Sequence, residues 1–222
     1  MELDEAVRTL LTAGAGTATV PLLEDLYAKK VMVPGLDLKL KDRNVFRNLV
    51  KEIKKSGVDF MPNSGFAPSF NPSLNKIYIP GKTISPGVLA HEWGHALNEN
   101  TIKKLGGKSL QNVWMKLYGL GSPLASLSTT AALAAIGTGA SEDTLRNIGL
   151  AGAATQAPRI FEEITASIRG AAKLKKLNMP GKLKAFIGIP TYLTSAALPM
   201  MPWLAKKLDP KLQELLNKKE GE

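Results

Sequence analysis

The two histidines of this 222-residue chain stand four apart, in His91-Glu92-Trp93-Gly94-His95, and the chain has no cysteine. On a helix, positions i and i+4 lie one above the other on the same face. Two imidazoles so placed can hold one metal ion from one side, with Glu92 beside them to take a proton from a water. The flanks predict a helix from about Pro86 to Asn100. Ser85-Pro86 reads as an N-cap followed by Pro at the first helical position, and Val88, Leu89, Ala90, Ala96 and Leu97 carry the helix on. The plain alternative is a chance match on an ordinary core helix. Gly94 argues for a metal helix, because a residue without a side chain lets another backbone pack close.

Two histidines and a water leave zinc one protein ligand short. With no further His and no Cys, the missing ligand has to be Asp or Glu. The stretch Arg159-Ile160-Phe161-Glu162-Glu163-Ile164-Thr165-Ala166-Ser167 reads as a helix and offers two adjacent carboxylates. Neighbours on a helix point about 100° apart, so only one of Glu162 and Glu163 can ligate. A solvated helix face is the other reading of such a pair.

The rest of the chain supplies a frame. Residues 2–12 have a helical period through Leu3, Val7, Leu10 and Leu11, and Pro21 starts a second helix. Asp42 can cap a helix with Val45, Phe46, Leu49, Val50 and Ile53 on one face, closed by Gly57. Residues 58–61 are a short strand candidate, 62–76 a loop or irregular hairpin, and Lys76-Ile77-Tyr78-Ile79 the best strand, ended by Pro80-Gly81. After Gly106-Gly107 the character changes. Leu117 to Ser141 carries no charge, and its small residues Ser122, Ser126, Thr130 and Ala134 recur at the spacing of closely packed helices. Glu142-Asp143 are expected to make the turn of an Ala/Gly-rich hairpin. Ala185 to Ala205 is again uncharged, but Pro190, Pro199 and Pro202 speak against a clean membrane span.

Met61 to Asn98, with its Ile-Tyr-Ile strand and the helix sequence Leu89-Ala90-His91-Glu92-Trp93-Gly94-His95-Ala96-Leu97, resembles the core of the gluzincin metallopeptidases. Among these it is most similar to membrane enzymes of the HtpX and CAAX prenyl protease type. The resemblance covers roughly residues 42–100 and 159–175. It implies a mostly helical α+β fold: a zincin-like core with a small antiparallel sheet and an added helical hairpin. It implies one domain over 1–222, made of N-terminal helices (1–41), the strand and HExxH-helix core (42–116), the apolar hairpin (117–158), the Glu-ligand helix (159–184), and an apolar segment with a polar tail (185–222). In the family the third zinc ligand is the Glu of a Glu-x-x-x-Asp pattern, which places Glu163 beside His91 and His95 as ligand. Ser167 stands where the family has Asp, a residue that usually steadies a metal-binding histidine.

The implied activity is a zinc-dependent metalloendopeptidase with Glu92 as general base. Its substrate would be an extended or unfolded polypeptide, added to a free sheet edge at Ile77 to Ile79. Tyr78, Arg159, Arg169 and Tyr192 are candidates to stabilise the oxyanion. The net charge of +10 fits an anionic membrane face, an acidic partner or nucleic acid. No aromatic-rich basic stripe suggests base stacking, so no specific nucleic acid is expected. The acidic start, Met1-Glu2-Leu3-Asp4-Glu5, does not look like a signal peptide. Lysines at 103, 104, 108 and 116 before the uncharged run would put the site on the cytoplasmic side of a membrane. A soluble intracellular protein is the alternative location. The alternative function is a weak or inactive zincin-fold scaffold on a membrane or particle, to which Ser167 points.

Overall fold

The computed structural model describes residues 43–63, 68–80 and 85–208. The expected N-terminal helices, the Asp42 cap, Gly81 and the polar tail from Asp209 lie outside these residues. The described chain is mostly helical, with one small sheet, as an α+β protein should be. It divides into two compact units. One comprises the described residues of Asp25–Tyr118 together with Pro158–Thr191, and the other the described residues of Gly119–Ala157 and Tyr192–Glu222.

In the first unit, helix α1 (Arg43–Lys55) buries Leu49 and Ile53, one turn apart, and packs Phe46 and Val50 against the same core. It ends at Gly57, whose φ of 82° suits a residue without a Cβ. Strands β1 (Asp59–Asn63), β2 (Ser69–Asn71) and β3 (Lys76–Pro80) follow. The expected antiparallel sheet is mixed: β1 runs parallel to β3, and only β2 is antiparallel to it. The excursion through β2 reverses the chain twice and so returns β3 in the direction of β1. The strand order is β1-β3-β2. Ile77 and Tyr78 therefore lie in the middle, paired on both sides, Ile79 pairs with β1 alone, and the sheet edges are β1 and β2. This corrects the expectation of a free edge at β3.

Helix α2 (Pro86–Gly137) begins as expected, with the Ser85 hydroxyl accepting from the Gly87 N–H at 3.2 Å. Its Val88, Leu89, Ala90, Trp93 and Ala96 join Leu49, Ile53, Val58 and Ile77 in one buried cluster. It does not stop near Asn100. It breaks locally at Gly106 (φ −148°) and Gly107 (φ 64°), then resumes as a second helical segment. Gln111 beyond the break donates to Glu99 before it, at 2.5 Å. Helix α4 (Ala157–Lys176) contributes Ala166, Gly170 and Leu174 to the buried interior of this unit.

The second unit pairs the later part of α2 with α3 (Glu142–Ala154). Glu142 and Asp143 do not form the turn. Ser141 caps α3 by accepting from the Thr144 N–H, and the two acids fill the first turn, where the helix dipole favours them. The turn before them carries Gly139 at φ 77°. Along α2 the buried positions are Gly121, Ala125, Ser126, Thr129 and Ala132, a face rotated from the expected Ser122-Ser126-Thr130-Ala134 seam. Gly152 sets that phase, because a Cβ there would lie 2.3 Å from the Ser128 hydroxyl. The prolines fall in first turns. Pro190 opens α5 (Ile189–Ala197), Pro199 sits in the 3-10 turn Leu198–Met200, and Pro202 starts the helix over 201–208. Among the described helices, α2 alone is long and apolar enough to cross a membrane by length and composition.

Candidate metal centre

The site is made where α2 and α4 touch backbone to backbone. A Cβ on Gly94 would sit 1.9 Å from the Ala166 carbonyl oxygen, and one on Gly170 would sit 2.3 Å from that of Ala90. Arg169 holds the pair in register, donating to the Leu97 carbonyl at 2.8 Å and the Thr101 hydroxyl at 2.5 Å. At this separation the side chains of one α2 face and one α4 face share a single space.

Into that space point His91, His95 and Glu163. The Oε2 atom of Glu163 lies 3.1 Å from His91 Nε2 and 3.5 Å from His95 Nε2, and the two Nε2 atoms are 3.2 Å apart. A tetrahedral ion with ligand bonds of about 2.0–2.1 Å requires ligand–ligand edges of about 3.3–3.4 Å. The observed triangle has that size. Glu163 is 1% exposed, and its buried Oε2 makes no hydrogen bond. A buried carboxylate oxygen without a hydrogen-bond partner is costly, and a cation among these three atoms would satisfy it. His91, His95 and Glu163 can hold a metal ion.

The other ring nitrogens are engaged. His95 Nδ1 donates to Glu162 Oε1 at 3.1 Å, which in the neutral ring leaves Nε2 as the lone-pair atom. His91 Nδ1 lies 3.0 Å from the Ser167 hydroxyl, which accepts in the tautomer that bares Nε2. Glu162, readable from sequence as a solvated neighbour, is 9% exposed and also accepts from Asn98 Nδ2 at 2.9 Å and Trp114 Nε1 at 3.1 Å. Glu163 Oε1 accepts from the Tyr118 hydroxyl at 2.8 Å.

Asn98, Trp114, Tyr118 and this role of Glu162 were missed in the sequence. A signal existed for two of them: Trp114 and Tyr118 are spaced one turn apart, like the histidines they face across the carboxylates. Of the four oxyanion candidates, Arg169 is committed to α2, Arg159 lies over the Tyr118 ring at 5.7 Å, Tyr78 sits on the central strand, and Tyr192 belongs to the other unit.

Electrostatics follow from this crowding. Burial alone would lift the Glu163 carboxyl, but His95 and His91 outweigh it and hold it well below the ordinary 4.5. Burial alone would lower His95, but the charge of Glu163 and the bond to Glu162 raise it well above 6.5. Burial raises the Glu92 carboxyl, with His91 and His95 pulling it partly back and the Phe70 N–H bonded to it. With Glu163 facing it, His95 holds a proton to higher pH than a free imidazole does. Metal uptake has to displace that proton, since a ligand imidazole is neutral. Apparent metal affinity should therefore fall as pH drops through the raised His95 pKa, while Glu163 stays ionised and does not compete. Calorimetry in two buffers of different ionisation enthalpy should show proton release on binding near pH 7. Binding without proton release would contradict this assignment.

The chain matches no protein-family model, and neither a curated protein nor a solved structure matches it.

Proposed function

We propose that the protein is a zinc-dependent metalloendopeptidase associated with a membrane. The observation that carries this reading is the triangle of His91 Nε2, His95 Nε2 and Glu163 Oε2, with Glu92 on the same helix as the two histidines. Two imidazoles and one carboxylate are a zinc donor set that leaves one position open. Zinc bound there would supply a Lewis acid that polarises a carbonyl and lowers the pKa of water towards about 7. Glu92, next to His91 and buried with a raised carboxyl pKa, suits the base that takes a proton from the attacking water and passes it to the leaving amine.

Substrate access is supported by β2 rather than β3. The Phe70 N–H on this outer strand bonds to Glu92, so an extended or unfolded polypeptide adding to β2 would lie beside the base. No specific nucleic acid enters this reading. Membrane association is supported by the uncharged later part of α2, which exposes Leu120, Leu124 and Leu127, and the lysines before it favour a cytoplasmic site. The scaffold alternative drew on Ser167 in place of Asp. Glu162 weakens it by giving His95 a carboxylate partner.

Cleavage of an unfolded polypeptide should disappear on chelation and return with zinc. Full zinc occupancy without cleavage would leave the scaffold reading in its place.

A further inference from the structure

Helix α2 reaches the carboxylates of α4 twice. Its first segment offers His91 and His95. After the corner at Gly106-Gly107 its second segment offers Trp114 and Tyr118, also one turn apart. Trp114 Nε1 donates to Glu162 Oε2 at 3.1 Å, and the Tyr118 hydroxyl donates to Glu163 Oε1 at 2.8 Å. The Glu99–Gln111 bond pins the two segments across the corner, and the Arg159 guanidinium lies 5.7 Å from the centre of the Tyr118 ring.

The two oxygens of Glu163 thereby have different surroundings. Oε2 faces both Nε2 atoms and has no hydrogen bond; Oε1 is taken by a phenol. A carboxylate can give a metal one oxygen or two. With two histidines, one oxygen makes three protein ligand atoms and leaves a tetrahedral position open, whereas two oxygens would crowd or fill it. We propose that Tyr118 is a positioning residue that holds Glu163 to one-oxygen ligation and so keeps the fourth position free. This rests on the metal-site reading above, and it makes the glycine corner part of the site, because the corner brings Tyr118 back over Glu163.

Tyr118→Phe removes only the hydroxyl and tests this without recourse to activity. Cobalt(II) in place of zinc reports coordination number, since four-coordinate sites absorb more strongly in the visible than five-coordinate ones. The cobalt form of Tyr118→Phe should absorb several-fold more weakly than the parent. Its zinc affinity, read by competition with a chromogenic chelator, should fall about tenfold, the scale for losing a partner of a ligand. Trp114→Phe alters the bond to Glu162 and not the one to Glu163, so it should keep the parent's band strength. Parental bands and affinity in Tyr118→Phe would overturn the proposal, as would equal weakening in Trp114→Phe. A parent protein that takes up neither cobalt nor zinc would overturn the metal-site reading, and the proposal with it.

Discussion

Glu92→Gln should retain zinc at the parental level and lose about 10²–10⁴-fold in kcat, the range for removing a positioned general base. Gln has nearly the shape of Glu, so the helix and the two imidazoles on it stay in place. Glu92 is not among the three converging ligand atoms, so metal content should not change. The amide cannot accept and return a proton as the carboxylate does. The substitution also removes a buried ionisable group whose pKa burial raises, so the variant should be no less stable than the parent to denaturant. Zinc content, melting temperature and kcat measured on one preparation separate these effects. A variant that cleaves as fast as the parent would remove Glu92 from the mechanism, and one that loses zinc would make it a ligand.

What could be read from the sequence was what depends on near neighbours. The i, i+4 spacing of the histidines, the Ser85-Pro86 start, the Leu49–Ile53 face and the strand at 76–79 are local patterns, and each marks an element that is present. The parallel pairing of β1 with β3 is not local. It depends on where β2 returns, and an apolar strand of five residues does not state its direction. Gly106-Gly107 marks only a change of character in the sequence, yet the residues beyond it are good helix formers and the helix resumes past the kink at a new angle. That angle decides the environment of Glu162. Without the returning segment and its Trp114 the carboxylate would be nearer to solvent; with it, Glu162 becomes the partner of His95. The seam of small residues shows the same limit. A helix carrying Gly, Ala, Ser and Thr on several faces does not fix which face is buried, and Gly152 on α3, against Ser128, makes that choice.

The two adjacent carboxylates of α4 should respond differently to removal. Glu163 points its free Oε2 at both Nε2 atoms, while of the two imidazoles Glu162 meets His95, at Nδ1 on the far side of that ring. Zinc binding worth roughly 10–16 kcal/mol over four ligands averages about 2.5–4 kcal/mol for each. Glu163→Ala should therefore weaken zinc by about 10²–10³-fold. Glu162→Ala removes an orienting partner and should cost about 10–100-fold. Alanine at 163 also leaves the Tyr118 hydroxyl without the acceptor it has in the parent, so Glu163→Gln is the control that keeps the shape and an acceptor while removing the charge. Its zinc affinity should lie between those of the parent and Glu163→Ala. Zinc affinity from chelator competition, with circular dichroism to confirm the fold, orders the three variants. Equal losses in Glu163→Ala and Glu162→Ala, or a larger loss in the latter, would move the third ligand away from Glu163 and take the metallopeptidase reading with it.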